Sequence, residues 1–404
     1  MSISLQSIQP LTHAYLESLG LDWHTDFDGT DYFAADLVHV NQREADAYYA
    51  AANELYDMFI AAAEYVISHN LYAELGIPSN LIDAVKTSWD RDDWHLYGRF
   101  DFAGGIDNKP IKLLEFNADT PTGLIETSLI QWAMLKYNQL NEESQFNNVY
   151  EALKENFKRL LSPKRLVLPA HINNTAADYL PVNNNSPAQN ILFSSIAGSP
   201  EDDLTVHFLR NAASEAGFHT DFAYADEVEF SETDGFFKGE EVFGYWFKLI
   251  PWEYIGLDEP QLAQILTNIS NNQAGIIANP AYTLLFQSKA IMKILWDLYP
   301  HHPLLLETRF TPLPRQAQAV KPFFGREGGN VRLLDAQGKT IAEQNGDYAH
   351  FNNIYQAYAQ LPTDSQGRCY QAGVFFAYEA CGLGFRRGGA IMDNLAKFVG
   401  HILA

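Results

Sequence analysis

Apolar residues recur at three- and four-residue steps through Ala45, Tyr48, Leu55, Phe59 and Tyr65. That is the period of an amphipathic helix, and Asn41 stands where its first turn needs a cap. Ser79 is placed to cap a second, shorter helix running through Trp89. From Trp94 to Asn117 the pattern changes to alternation, which predicts two strands around the turn-rich run Gly104-Gly105-Ile106-Asp107-Asn108-Lys109-Pro110. Thr122 then opens a helix through Ile125, Leu129, Trp132 and Leu135, and another is predicted from Asn148 to Leu161.

The stretch Asn183 to Pro187 reads as a loop or subdomain joint. Beyond it strands alternate with helices. Ile191 to Ile196, Val242 to Lys248, Gly275 to Ala278, Val320 to Phe324, Val331 to Leu334 and Gly373 to Tyr378 are predicted strands. Asp203 to Ala216, Pro260 to Ile269 and Tyr282 to Leu298 are predicted helices. The class is α+β or mixed α/β. No internal repeat or low-complexity tract interrupts it.

Composition narrows the function more by exclusion than by pointing. A formal charge of -23, from 27 basic and 50 acidic residues, disfavours nucleic acid and anionic membranes, which require clustered Lys and Arg. It is compatible with a cationic substrate, and with solubility alone. The two cysteines, Cys369 and Cys381, form neither a metal-ligand pattern nor a disulfide framework, which suits a reducing compartment. Residues 1–21 lack a basic start followed by an apolar run, and no stretch approaches the ~18 apolar residues of a membrane span. A cytoplasmic location is expected.

Candidate chemistry begins with Tyr97-Gly98-Arg99-Phe100-Asp101-Phe102 and Leu113-Leu114-Glu115-Phe116-Asn117-Ala118-Asp119. Strand side chains alternate faces, so Arg99 shares a face with Asp101, and Glu115 with Asn117. Paired as a hairpin, the two strands would collect all four. Two carboxylates and an amide oxygen suit Mg2+, and the arginine suits a phosphate oxygen. A solvated sheet face with a salt bridge is the plainer reading. Lys321-Pro322-Phe323-Phe324-Gly325-Arg326-Glu327-Gly328-Gly329-Asn330 combines charge with glycines that let backbone N–H groups approach phosphates. It matches neither the Walker nor the dinucleotide-binding spacing, and an ordinary hairpin turn is its alternative.

Lys289 follows Asn279-Pro280-Ala281 on a predicted helix, where a lysine is commonly just solvated. The glycines around Arg386 and Arg387 suit either an anion clamp or a cationic loop. His301-His302 has no metal-ligand spacing, and Tyr245-Trp246-Phe247 with Trp252 reads as packing.

Taken in order, Arg-Phe-Asp, Leu-Leu-Glu-Phe-Asn-Ala-Asp-Thr-Pro-Thr, Phe-Lys-Leu-Ile-Pro-Trp-Glu, Asn-Pro with the Ser-Lys-Ala helix, and the glycine-rich segment resemble one family. It is the synthetase domain of glutathionylspermidine synthase and its uncharacterised bacterial homologues, with the likeness running from about Trp23 to the C-terminus. The resemblance implies an ATP-grasp fold in circularly permuted order with a pre-ATP-grasp-like subdomain. The regions expected are 1–165, helical with the metal-binding hairpin; 166–240, pre-ATP-grasp-like; and 241–404, nucleotide-binding. It further implies that Asp101, Glu115 and Asn117 hold Mg2+ and that Arg99 stabilises the transferring phosphoryl group. Lys289, Lys321, Gly325, Arg326, Gly328 and Gly329 would bind ATP. Thr120, Thr122 and Arg386 would bind a glutathione-like carboxylate substrate, and Glu201 and Asp202 a polyamine-like amine.

The implied activity is ATP-dependent carboxylate–amine ligation through an acyl phosphate. An inactive ATP-binding or partner-binding protein on the same fold is the alternative. No Cys–His amidase region precedes these motifs, so hydrolase activity is not expected. Thr120-Pro121-Thr122 stands where better-studied members carry serines, which points to a different acid or amine.

Overall fold

A computed structural model of the chain describes residues 2–161 and 189–404. The joint expected at 183–187 and the boundary expected at 165/166 lie outside these residues. The predicted long helix runs from Gln42 to His69 and opens with a capping box. The Asn41 side chain accepts the Glu44 N–H at 3.1 Å, and the Glu44 carboxylate accepts the Asn41 N–H at 2.9 Å. Its buried stripe, including Tyr48, Leu55, Phe59 and Val66, packs on a seven-stranded sheet.

That sheet is ordered Leu5–Ser7, Phe33–Val40, Lys397–Leu403, Glu379–Gly388, Cys369–Ala377, Gly98–Ala103, Lys112–Asn117. All neighbours are antiparallel except Phe33–Val40 with Lys397–Leu403. The predicted hairpin is therefore its edge. Phe100 lies opposite Phe116, and their rings stack at 3.8 Å on the apolar side, beside Phe59 of the long helix. Burying those rings commits the alternate residues to the other face.

A second, wholly parallel sheet is ordered Ile276–Ala278, Tyr245–Lys248, Asn190–Ser194, His219–Phe222. Its first crossover helix, Pro200–Ala216, starts at a Ser199 cap with proline in the first turn. A five-stranded antiparallel sheet joins Thr308–Arg309, Asn353–Ala357, Gln318–Pro322, Arg332–Leu334 and Thr340–Glu343, and a small sheet covers Glu229–Ser231, Gly235–Lys238 and Glu241–Phe243. The fold is mixed α/β.

Several local expectations need correction. Ser79 caps no helix: Ser79–Leu81 is a 3-10 turn, and the α-helix begins at Ile82 without a side-chain cap. Thr122 does not open its helix, because Gly123 intervenes at φ +80 and the turn Glu126–Ile130 is π-helical. The helix expected over Tyr282 to Leu298 is two, Thr283–Gln287 and Ile291–Leu298, broken around Ser288 where φ/ψ turn extended. The run around Arg386 is no loop but part of the long strand Glu379–Gly388.

Candidate active site

The hairpin register sets Arg99 against Asn117 and Asp101 against Glu115, so all four face one cavity. Asp101 is buried and crowded with donors. Arg99 binds it through Nε at 2.6 Å and Nη2 at 3.0 Å, while Asn117 and Gln371 donate to its Oδ2 at 3.2 and 3.1 Å. Arg99 also donates to the carbonyl of Thr122. Asp101 raises the pKa of Arg99 against the opposing effect of burial, so this guanidinium stays charged.

The break between the two short helices delivers Lys289 to the same place. Its backbone N–H donates to the Phe323 carbonyl at 2.8 Å, and its ammonium reaches Glu115 at 3.2 Å and the Gly325 carbonyl at 2.8 Å. Lys321, on the strand Gln318–Pro322, donates to Gln356 at 2.9 Å and the Leu114 carbonyl at 3.2 Å. Burial alone would disfavour the Glu115 charge, but Lys289 and Lys321 outweigh it and hold that carboxyl down at about 2. Burial, reinforced by Lys289, pushes Lys321 down to about 8.

The glycine-rich segment connects two antiparallel neighbours, Gln318–Pro322 and Arg332–Leu334, so it is a strand connection and a cavity wall together. Glycine at 328 is required twice over: φ is +68, and a Cβ there would lie 2.7 Å from the Met392 carbonyl oxygen. Arg326 in this segment binds Glu253 at 2.8 Å and the Thr120 hydroxyl at 3.0 Å.

Arg99, Asp101, Glu115, Asn117, Thr120, Thr122, Lys289, Lys321, Gly325, Arg326, Gly328, Gly329 and Arg386 all line this one cavity. Glu201 and Asp202 do not. They line an adjoining cavity, to which Arg99, Asp101, Thr122 and Arg386 also contribute. Burial, with Glu126, Asp202 and Glu327 nearby, pushes Glu201 up to about 8.

Five cationic and three anionic side chains line the first cavity, in a chain of charge -23. The surplus of positive charge favours an anion. Two buried donors beside it, Arg326 Nε and Gln356 Nε2, make no hydrogen bond among the described residues. An acceptor-rich ligand would satisfy them. As Mg2+ ligands, Asp101, Glu115 and Asn117 offer the hard oxygens the ion prefers. They form a pair of carboxylates with an amide; no group of three or more His, Cys, Asp and Glu side chains suited to a metal occurs among the described residues.

The family model described as glutathionylspermidine synthase preATP-grasp matches residues 3–404. The chain belongs to this family. A Haemophilus influenzae protein named as an acid–amine ligase is 28% identical over 404 residues, covering 96% of this chain and 95% of that one. The bifunctional glutathionylspermidine synthetase/amidase of Escherichia coli is 26% identical over 391 residues, covering 89% of this chain but 56% of the relative. Trypanothione synthetase of Crithidia fasciculata is 24% identical, with 86% and 53% covered. The chain thus spans little more than half the length of the last two. A glutathione synthetase-like effector of Globodera pallida superposes with a TM-score of 0.53 over 98% of both chains at 10% identity, which shows a shared ATP-grasp-type fold. Family membership makes the chain an ATP-dependent carbon–nitrogen ligase. No helix among the described residues is long and apolar enough to cross a membrane.

The residues that brace the site carry no motif of their own. Asp119 and Lys248 form a fully buried ion pair at 3.1 Å, and Asp119 also accepts the Trp252 N–H at 2.8 Å. Asn279 donates to the Asp119 and Tyr97 carbonyls at 2.7 and 3.1 Å and accepts the Leu96 N–H at 2.8 Å. Gln287 accepts the Ala118 N–H at 2.9 Å. Lys248, Trp252 and Glu253 stand in the Phe-Lys-Leu-Ile-Pro-Trp-Glu run, and a lysine amid aromatics was the visible signal. Trp246 and Trp252 are buried, consistent with packing.

Proposed function

We propose that this protein joins the carboxylate of a small, glutathione-like peptide to a polyamine-like amine, using ATP and Mg2+ through an acyl phosphate. The observation that carries the reading is the sharing of Arg99, Asp101, Thr122 and Arg386 between a cationic cleft and a second cavity bearing Glu201 and Asp202. Anionic nucleotide and cationic amine then meet at one set of side chains.

The apolar part of the cleft, with Ala319, Leu333 and Met392, suits an adenine ring, and Lys289, Lys321 and Arg326 suit its phosphates. Asp101, Glu115 and Asn117 would hold Mg2+, which supplies positive charge to the γ-phosphoryl group when bound. Before ligands arrive, Arg99 neutralises Asp101, and Lys289 neutralises Glu115. With nucleotide in place these cations are free to turn to phosphate oxygens. The substrate carboxylate, oriented by Arg386 and Thr120, attacks the γ-phosphorus and ADP leaves. The amine nitrogen then attacks the acyl carbon, phosphate leaves, and the ammonium gives up two protons in all. Arg99 braces the charge of the transferring group, where positioning and electrostatics do most of the work.

The test is ADP release measured across a matrix of acids and amines, including glutathione, other small peptides, spermidine, putrescine and amino acids. Release that needs both an acid and an amine is expected. ATP binding without release for any pair would overturn the ligase reading in favour of a binding protein.

A further inference from the structure

Besides Arg99, Asp101 and Arg386, two unlike groups of residues line the second cavity. Glu201, Asp202 and Glu327 supply carboxylates, whereas the 23–32 segment supplies Trp23, Phe27 and Tyr32. Phe27 is out of keeping with its surroundings. It is 81% exposed, the most exposed of the large apolar side chains among the described residues. An isolated exposed phenylalanine on a mobile loop would need no explanation. This one is held.

The turn beneath it is closed by the Asp26 N–H to the Thr30 carbonyl and the Gly29 N–H to the Asp26 carbonyl, both 2.9 Å. Asp28 accepts the Thr30 hydroxyl and N–H at 2.6 and 2.9 Å. Lys397, on the central sheet, ties down both Asp26 and Thr30. Behind the turn Trp23, Tyr32 and Phe33 pack together, with Tyr32 and Phe33 centroids 4.9 Å apart and Trp23 and Tyr32 5.8 Å apart. A fixed turn thus presents a bare aromatic ring at the edge of a cavity that also holds carboxylates.

We propose that Phe27 covers the alkyl chain of the amine substrate and makes the enzyme discriminate among amines by chain length. The assignment rests on the ligase reading above. An alkyl polyamine alternates ammonium groups, which need carboxylates, with methylenes, which need apolar cover. The carboxyls at 201 and 202 meet the first need, Glu201 giving up its proton as the ammonium arrives, and the Phe27 ring meets the second, with added attraction between the ring face and a nearby ammonium. A short monoamine would not reach both.

The experiment is calorimetric titration of wild type, Phe27→Ala and Phe27→Trp with spermidine and with n-butylamine, alongside ADP release. Spermidine should bind about 10-fold more weakly to Phe27→Ala and nearly normally to Phe27→Trp, with n-butylamine and ATP affinities unmoved. Because the side chain is exposed, both variants should fold normally. Equal spermidine affinity in wild type and Phe27→Ala, or no saturable binding to either, overturns the inference. ADP release separates the two claims. Phe27-dependent binding without any turnover removes the ligase reading and leaves Phe27 only as the cover of a bound amine; turnover with an unchanged amine KM in Phe27→Ala keeps the ligase reading and overturns the role of Phe27.

Discussion

Lys248 and Asp119 face each other at 3.1 Å with both side chains wholly excluded from solvent. Neither charge is tolerable alone there. Burial raises the pKa of Asp119 and lowers that of Lys248, and each is the other's main support. Lys248 also donates to the Ile250 carbonyl at 2.7 Å, so the pair ties the Ile250–Trp252 corner to the residue preceding Thr120. Asp119→Ala should therefore destabilise the protein by roughly 3–5 kcal/mol, since it strands a buried ammonium. Urea unfolding measures this. The joint Asp119→Leu, Lys248→Met variant should recover much of the loss; a single variant as stable as wild type would deny the pair its role.

Asp101→Ala and Glu115→Ala should each abolish acid- and amine-dependent ADP release while the circular dichroism spectrum stays native. Both carboxylates sit on a hairpin held by the Phe100–Phe116 stack on its other face, and the cations left behind, Arg99 and Lys289, line a cavity open to water, unlike Lys248, so the fold survives their loss. Wild-type turnover in both variants would sink the Mg2+ assignment. Arg99→Lys should lower kcat by about 100-fold, because an ammonium cannot reproduce the fork now spread over Asp101 and Thr122.

The hairpin was legible because alternation alone commits Arg99, Asp101, Glu115 and Asn117 to one face once Phe100 and Phe116 are buried. The long helix was legible from its period and its Asn41–Glu44 cap. Lys289 stands in a turn and not on a helix, and nothing in Leu-Phe-Gln-Ser-Lys-Ala-Ile announces the break. The break follows from tertiary partners: the Ser288 hydroxyl donates to Leu75 and the Lys289 N–H to Phe323, neither of them close in sequence. The strands Phe33–Val40 and Lys397–Leu403 escaped because they pair across nearly the whole chain. Gln356 and Gln371 were invisible for a related reason. A glutamine has no motif, and only the structure brings them to Lys321 and Asp101.

Glu201 should make the protein's stability depend on pH in an unusual direction. Its carboxyl is pushed from 4.5 up to about 8 by burial and by Glu126, Asp202 and Glu327, with Arg386 opposing. The folded state therefore holds a proton that the unfolded chain has lost, and stability should fall as pH rises from about 4.5 to about 8. Glu201→Gln, a neutral mimic, should raise Tm relative to wild type at pH 8.5 and leave it unchanged at pH 4. Parallel Tm profiles for the two proteins would contradict this. Amine affinity should move oppositely, strengthening in wild type as the carboxylate ionises.

Gly373 offers a way to disturb Arg99 without touching it. The glycine lies opposite Asp101 on the strand Cys369–Ala377, and a Cβ there would stand 3.1 Å from the Cδ of Arg99. That side chain has little room to yield, since Asp101 and Thr122 hold its far end. The φ of Gly373 is not among the positive values, so alanine meets no backbone strain. Gly373→Ala should thus leave Tm within a few degrees of wild type yet lower kcat, because a guanidinium displaced by a few tenths of an ångström no longer fits the charge it braces. Steady-state ADP release and a thermal melt on the same sample decide it. A large fall in Tm would mean that the glycine serves the sheet, and an unchanged kcat that Arg99 plays no part in the reaction.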